Sequence, residues 1–349
     1  MMSKLFIIIT CSILSVLATS PSINECFNQE EELSGLFKCI SPKFTRRGSW
    51  KRKDYRKSMP NHEERIAFRQ VVKDLLDSDR NCTEIEIPSV LANDMELKLF
   101  KNRFCVLLNK RVNRATGLFE RAFAVVVVPF QKNNVRSLHH SAPHYYFDQL
   151  TGNQSAAIFE KTKSHSLVVS AAARHSFLGS KSTCQKKYYP VDGAHNNDTM
   201  FHAALLATWD WQRAKGCNHS NCAFIQWHGM TSSCSHLAAF ISLGRKNSTI
   251  YTQHHIPAVK VKRAIKRQMS RWRRFKIRTP WESRCKLTAE INIFGRILNG
   301  VCRRRACFKS AIPKEVTGHF VHIEQSLEMR QEKYYNRWAM AVRQAFSMD

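Results

Sequence analysis

The run RAFAVVVVPF, residues 121–130, sets the tightest constraint on how this chain folds. Four successive valines leave no alternation of apolar and polar side chains. A strand made from them has no face for water and needs cover on both sides. SHSLVVSAAAR, from residue 164, and CAFIQWHGM, from residue 222, have the same character. Between them, TGNQSAAIFEKT and TMFHAALLATWDWQRAKG read as helices. Asp198 or Thr199 stands at the N-cap of the second, and Gly216 lies near its end. FVHIEQ, from residue 320, reads as a further strand, followed by the helical spacing of Trp338, Val342 and Phe346. Strands alternating with helices predict an α/β fold, a largely buried mixed or parallel sheet flanked by helices.

Ahead of this region, residues 21–119 read as an N-terminal extension of uncertain fold. Within it, a helix from Glu63 carries an apolar stripe of Phe68, Val71, Val72, Leu75 and Leu76, with Ile66 off the stripe. The first twenty residues combine a lysine, a short apolar core and small residues, with Ala18 or Ser20 ahead of a cut. That is the pattern of a signal peptide and predicts secretion. Removing it with Cys11 leaves eleven of the twelve cysteines, an odd number for an oxidising compartment. Cys26 and Cys39 can staple the extension. Cys217 with Cys222, and Cys302 with Cys307, can each close a small loop or pair elsewhere. Sequons at Asn81, Asn153, Asn197, Asn218 and Asn247 agree with the secretory route and predict a glycoprotein.

The domain 120–349 holds the chemistry. SLHHSAPH, residues 137–144, puts His139, His140 and His144 at the apparent exit of a strand. IQWHGM places His228 at the end of another, VDGAH supplies Asp192 and His195, and HIEQ supplies Glu324. Imidazoles with a carboxylate hold a divalent metal, zinc by this choice of donors, and leave a position for water. A second carboxylate then moves the proton. His139, His140, His144 and His228 are therefore the candidate ligands, and Glu324, Asp192 and His195 the candidate catalytic groups. The plainer alternatives are packing for a lone histidine, the reading given to His165 and His175, and an arginine partner for Glu324. Val321 and Ile323 alternate with Glu324, and His322 shares its face.

The ordered set of histidine loop, VDGAH, IQWHG and HIEQ resembles the zinc-dependent amidohydrolases related to N-formylglutamate amidohydrolase. It is more distantly similar to the zinc carboxypeptidases. Over residues 120–345 the resemblance implies an α/β scaffold, zinc held by His140 or His144 and by His228, and Glu324 as base in amide hydrolysis. Asp192 or His195 becomes a further ligand or a substrate group. The first loop has no H-x-x-E, so the resemblance leaves the carboxylate ligand open.

A net charge of +28, from 55 basic and 27 acidic residues, predicts attraction to polyanions. The candidates are nucleic acid, an acidic glycan, an anionic membrane surface or an acidic polymeric substrate. WKRKDYRK and the segment 260–278, with ten cations and no carboxylate, carry the densest charge. A metal-dependent nuclease and a noncatalytic polyanion binder are thus the competing functions. No phosphate-binding loop, dinucleotide fingerprint or G-x-S-x-G elbow occurs in the sequence.

Overall fold

The structure is a computed structural model and describes residues 20–77, 82–246, 248–272 and 274–346. The expected signal peptide, Ser20 excepted, lies outside the described residues, as do Asn81 and Asn247.

The chain begins with helices α1 (Ile23–Gln29), α2 (Leu33–Ile40), α3 (Arg52–Ser58), α4 (His62–Asp77) and the single turn α5 (Ser89–Ala92). Strands β1 (Met95–Phe100), β2 (Phe104–Asn109), β3 (Ala124–Pro129) and β4 (Arg136–Ala142) follow. Helix α6 (Thr151–Thr162) leads to β5 (Ser164–Ser170), and α7 (Met200–Lys215) leads to β6 (Ala223–Gly229). The remainder comprises β7 (Ala239–Ser242), α8 (Pro257–Gln268), β8 (Ile277–Arg278), α9 (Ile293–Leu298), β9 (Phe320–Gln325) and α10 (Tyr335–Ala345).

These strands form one mixed sheet in the order β1-β2-β3-β5-β4-β6-β9-β7-β8. Its centre, β5-β4-β6-β9, is parallel, and antiparallel pairs flank it. Every residue of β3, β5 and β9 is buried, as two-sided cover requires. On one face, Ile225, Trp227, Val321 and Ile323 pack against α6, α8 and α10. On the other, Phe224 and Phe320 pack with Phe68 of α4 and Met200 and Phe201 of α7. Period-two alternation thus sends neighbours on β6 and β9 into different cores. Helix α7 begins at Thr199, whose side chain accepts from the His202 N–H, and stops at Gly216, where φ is +87°. Ile66 of α4 is exposed, as its place off the stripe requires.

The sheet runs across the boundary expected near residue 119. Strands β1 and β2 form a hairpin whose second strand pairs with β3. SLHHSAPH, open between strand end and loop in the sequence, takes the strand alternative, on a strand separate from RAFAVVVVPF. Its first six residues are the last six of β4, so His139 and His140 sit inside a central strand rather than in a loop beyond it.

Among the described residues, five disulfides use ten cysteines: Cys26–Cys39, Cys82–Cys105, Cys184–Cys307, Cys217–Cys222 and Cys234–Cys285. Cys302 remains free and exposed, because Cys307 reaches back to Cys184. No helix among the described residues is long and apolar enough to cross a membrane.

Trp338 of α10 is fully buried, edge-on to Trp227 with ring centroids 5.3 Å apart. Trp338→Ala removes a large ring that its rigid neighbours cannot replace. Denaturant melts should show a loss of about 3–5 kcal/mol.

Candidate metal centre

The parallel strands β4, β5, β6 and β9 all end on one side of the sheet. From β4 the chain passes through α6 to β5 on one flank, and α7 then returns it to β6 on the other. The order reverses at β4, and such a switch opens a crevice beyond the strand ends. His144, Arg174, His228 and Glu324 occupy the ends of these strands or the loops just beyond them.

His144 lies two residues past β4, and a tight turn follows in which the Asp148 N–H donates to the His144 carbonyl at 2.8 Å. This turn folds the Asp148 carboxylate back toward its own strand end. His144 Nδ1 lies 3.3 Å from Asp148 Oδ2, and His228 Nδ1 lies 3.1 Å from the same oxygen. All three side chains are buried.

The protons of both imidazoles can be assigned from their other partners. His144 Nε2 is 3.0 Å from Asp192 Oδ1. An ionised carboxylate only accepts, so Nε2 carries the proton. Asp192 is itself fixed by Arg174 Nη2 at 2.6 Å and by the Ala194 N–H at 3.1 Å. For His228, the assignment starts at a helix cap. Asn292 Oδ1 accepts from the Gly295 N–H at the start of α9, so Asn292 Nδ2 is the end that donates to Gln226 Oε1, at 2.6 Å. Gln226 Oε1 is therefore an acceptor, and His228 Nε2, 2.9 Å away, donates to it.

With a proton on each Nε2, either ring in its neutral form turns an Nδ1 lone pair toward a carboxylate oxygen, and a second proton or a cation is what relieves that contact. The nearest donor to His144 Nδ1, Arg174 Nη1 at 3.4 Å, is too far for a strong hydrogen bond. Three buried acceptors facing one another need positive charge among them, from extra protons or from a cation. Burial and the Arg174 charge oppose a proton on His144, but Asp192 and Asp148 outweigh them and raise its pKa. Burial lowers the pKa of His228 despite Asp148. His144, Asp148 and His228 form a cluster able to hold a divalent ion. Outer partners that orient each imidazole are what such a centre requires.

A second cluster shares His228 and adds His322 and Glu324. Register places Glu324 opposite His228 and His322 opposite Gln226. His322 Nε2 lies 3.5 Å from Glu324 Oε1, and the His322 and His228 rings are 4.4 Å apart. Glu324 Oε2 is buried without a hydrogen-bond partner. Burial, reinforced by the Asp148 charge, pushes the Glu324 pKa well above the usual carboxylate range, against Arg174 and Arg330. Burial also keeps His322 neutral, well below its ordinary value.

The pocket above these groups holds about 370 Å³. Beyond the two clusters, Arg174, Tyr188, Lys187, Lys286 and Phe147 contribute to its walls. Two disulfides hold those walls: Cys184–Cys307 ties down the loop after β5, and Cys234–Cys285 fastens the segment carrying Lys286. Arg330 donates to the carbonyls of Asp148 and Gln149, which fixes the turn bearing the carboxylate. Gly229, directly after His228, leaves room for this contact. A Cβ there would meet the Arg330 guanidinium and stand 2.8 Å from the Asp148 carbonyl oxygen.

The structure brings together His144, His228, Asp192 and Glu324 from the expected set and leaves His139 and His140 elsewhere. His139 bonds Ser166 Oγ and Gln212 Oε1, both at 2.8 Å, and stacks on Phe224 under α7. His140 points to the opposite face, accepting from Trp227 Nε1 at 3.0 Å and bonding Ser164 Oγ at 2.9 Å. Both nitrogens of each ring are thus occupied within the core. Asp192 touches the centre through His144. His195 lines the pocket, stacked on Tyr188 with its Nδ1 2.9 Å from Gln185 Oε1. Burial lowers its pKa to about 3. Sequence reasoning missed Asp148 and Arg174. The only sign of Asp148 was its place four residues after His144 in HYYFD.

No family model and no curated protein matches the chain. Among solved structures it is similar to succinylglutamate desuccinylase from Vibrio parahaemolyticus, with TM-score 0.35 and 9% identity over 80% of this chain and 82% of that one. It is also similar to LapA from Legionella pneumophila, with TM-score 0.32 and 10% identity over 93% of this chain and 74% of that one. Likenesses this distant assign neither a family nor a function.

Burial holds the pKa of His139 and His140 at about 3. In the unfolded chain each takes up a proton near about 6.5. Below that value the unfolded state binds more protons, so stability falls as the pH drops from about 6.5 toward about 3. The melting temperature should decline through this window, and less steeply in His140→Gln. A flat profile over the same range would contradict the assignment of neutral core histidines.

Proposed function

We propose that this protein is a metal-dependent hydrolase that cuts an amide bond, with zinc held by His144, Asp148 and His228. The observation that carries the reading is the convergence of two imidazole Nδ1 atoms on one buried carboxylate oxygen, at 3.3 and 3.1 Å. Two imidazoles and a carboxylate are a donor set that suits zinc and leaves a position open. The amide bond is the finer part of the proposal and rests on the resemblance of the ordered motifs to amidohydrolases.

A divalent ion in this set supplies Lewis acidity, polarising a carbonyl and acidifying water. The chain's own residues do the remainder. Burial and Asp148 disfavour the charge of Glu324, and the positive charge of a divalent ion beside it would restore the carboxylate. Its unpartnered Oε2 would then take a proton from the attacking water and return one to the leaving nitrogen. The water oxygen joins the carbonyl carbon, the C–N bond breaks, and an acid and an amine result. Arg174, held against Asp192, directs positive charge toward the oxygen on which negative charge grows. His322, beside Glu324, keeps that carboxyl facing the pocket.

The test is the metal content of the mature protein after loosely bound ions are removed, read beside a screen of amide substrates. The expected result is about one zinc per chain, lost in His144→Ala, Asp148→Ala and His228→Ala. Glu324→Gln should keep the zinc while kcat falls about 10²–10⁴-fold. A folded wild type that binds no metal under these conditions would end the proposal.

A further inference from the structure

We propose that the surface around the pocket mouth binds the acidic flanks of a polypeptide substrate, a proposal that rests on the amide-hydrolase reading. Three cationic side chains, Arg174, Lys187 and Lys286, line the pocket itself. The segment 46–57, RRGSWKRKDYRK, then carries seven cations against one carboxylate. All seven are exposed.

The backbone fixes this segment beside the pocket. The Gly48 N–H donates to the His175 carbonyl and the Trp50 N–H to the Ser176 carbonyl, each at 2.9 Å. Tyr55 stacks on Phe177 with centroids 4.0 Å apart. Residues 175–177 directly follow Arg174, so helix α3 rides on the same loop that forms the pocket wall. The cations of 46–57 are thus held close to the loop that carries Arg174, and like charges gathered beside a cleft concentrate ligands of opposite sign.

The observations favour a peptide over other polyanions. The bond assigned to the site recurs along a peptide main chain. Arginines such as Arg47, Arg52 and Arg56 present planar forks that match carboxylates two bonds at a time. The aromatic rings here are engaged with each other, Tyr55 with Phe177, Tyr188 with His195 and Tyr189 with His175. Phe147, half-exposed in the pocket wall, meets His175 edge-on and has the Arg174 guanidinium over its ring, so paired or covered rings predominate over the open faces that base stacking uses. Trp50 is buried, and no apolar helix face accompanies the cations for insertion into lipid.

The experiment uses a fluorescein-labelled oligoglutamate and a neutral glycine–serine peptide of equal length, with binding to the zinc-loaded mature protein read by anisotropy. One variant combines Lys51→Glu, Arg52→Glu and Arg56→Glu. A second combines Arg263→Glu, Lys266→Glu and Arg267→Glu on α8, giving the same change in net charge away from the mouth. Oligoglutamate should bind wild type in a salt-sensitive way and the neutral peptide should not. The mouth variant should bind about tenfold more weakly or worse, while the α8 variant stays near wild type, with zinc retained in both. Equal losses in the two variants would overturn the inference, as would no oligoglutamate binding by wild type. Tighter binding of heparin or single-stranded DNA of equal charge would overturn it in favour of another polyanion. Salt sensitivity of wild type is read without any variant, so a misfolded variant does not suspend the test. Zinc without oligoglutamate binding rejects this inference alone, whereas absence of zinc rejects the hydrolase reading whatever the peptide does.

Discussion

The Asp148 carboxylate sits between two imidazole nitrogens, 3.3 and 3.1 Å away, and the structure around it is arranged to keep that contact. Arg174 fixes Asp192, which fixes His144. The cap of α9 fixes Asn292, which fixes Gln226 and through it His228. Arg330 holds the turn that carries Asp148. Each chain of contacts ends in the backbone or in an ion pair, so the inner groups have little freedom to turn away. Burying such a carboxylate costs several kcal/mol unless positive charge meets it. The second carboxyl of the pocket yields instead. Glu324 stays protonated beyond the usual range because burial and Asp148 together disfavour its charge.

The two-sided sheet was legible because apolar strands without alternation admit few other folds. The strand that carries the histidines was less so. β4 reads RSLHHSA, and its polar residues resemble a loop until their partners are known. His139 and His140 could still have been separated on paper. Adjacent residues in a strand point to opposite faces, so the two cannot share one ion. His144 escapes this limit because it lies beyond the strand, where a turn rather than the pleat sets its direction.

Asp148 was hidden for the opposite reason. It lies in a turn with no periodicity, and only the His144 carbonyl that accepts its N–H ties it to the strand end. Arg174 read as the last residue of a strand, and nothing local pointed to its partner Asp192, eighteen positions on. Nothing local in residues 95–109 signalled that β1 and β2 continue the sheet of β3, because that pairing is long-range. Cys307 likewise had a neighbouring cysteine in sequence and took a distant one in space.

Charge density along the sequence is a poor guide to where charge acts. The richest run, 260–278, includes α8, whose Val261, Ala264 and Ile265 are buried in the core behind β9. That core also holds Val321 and Ile323, the residues alternating with His322 and Glu324. Helix α8 therefore serves first as a brace. By packing against one face of β9 it holds the other face, with its two ionisable groups, in the pocket. The cations of α3 have no such duty to the core: Ser58 is the only buried residue of that helix. A charge run on a helix with a buried stripe is explained by the need to solvate the other side. One on a short helix with almost nothing buried, anchored beside a cleft, lacks that explanation, and its position points to the solution in front of the pocket.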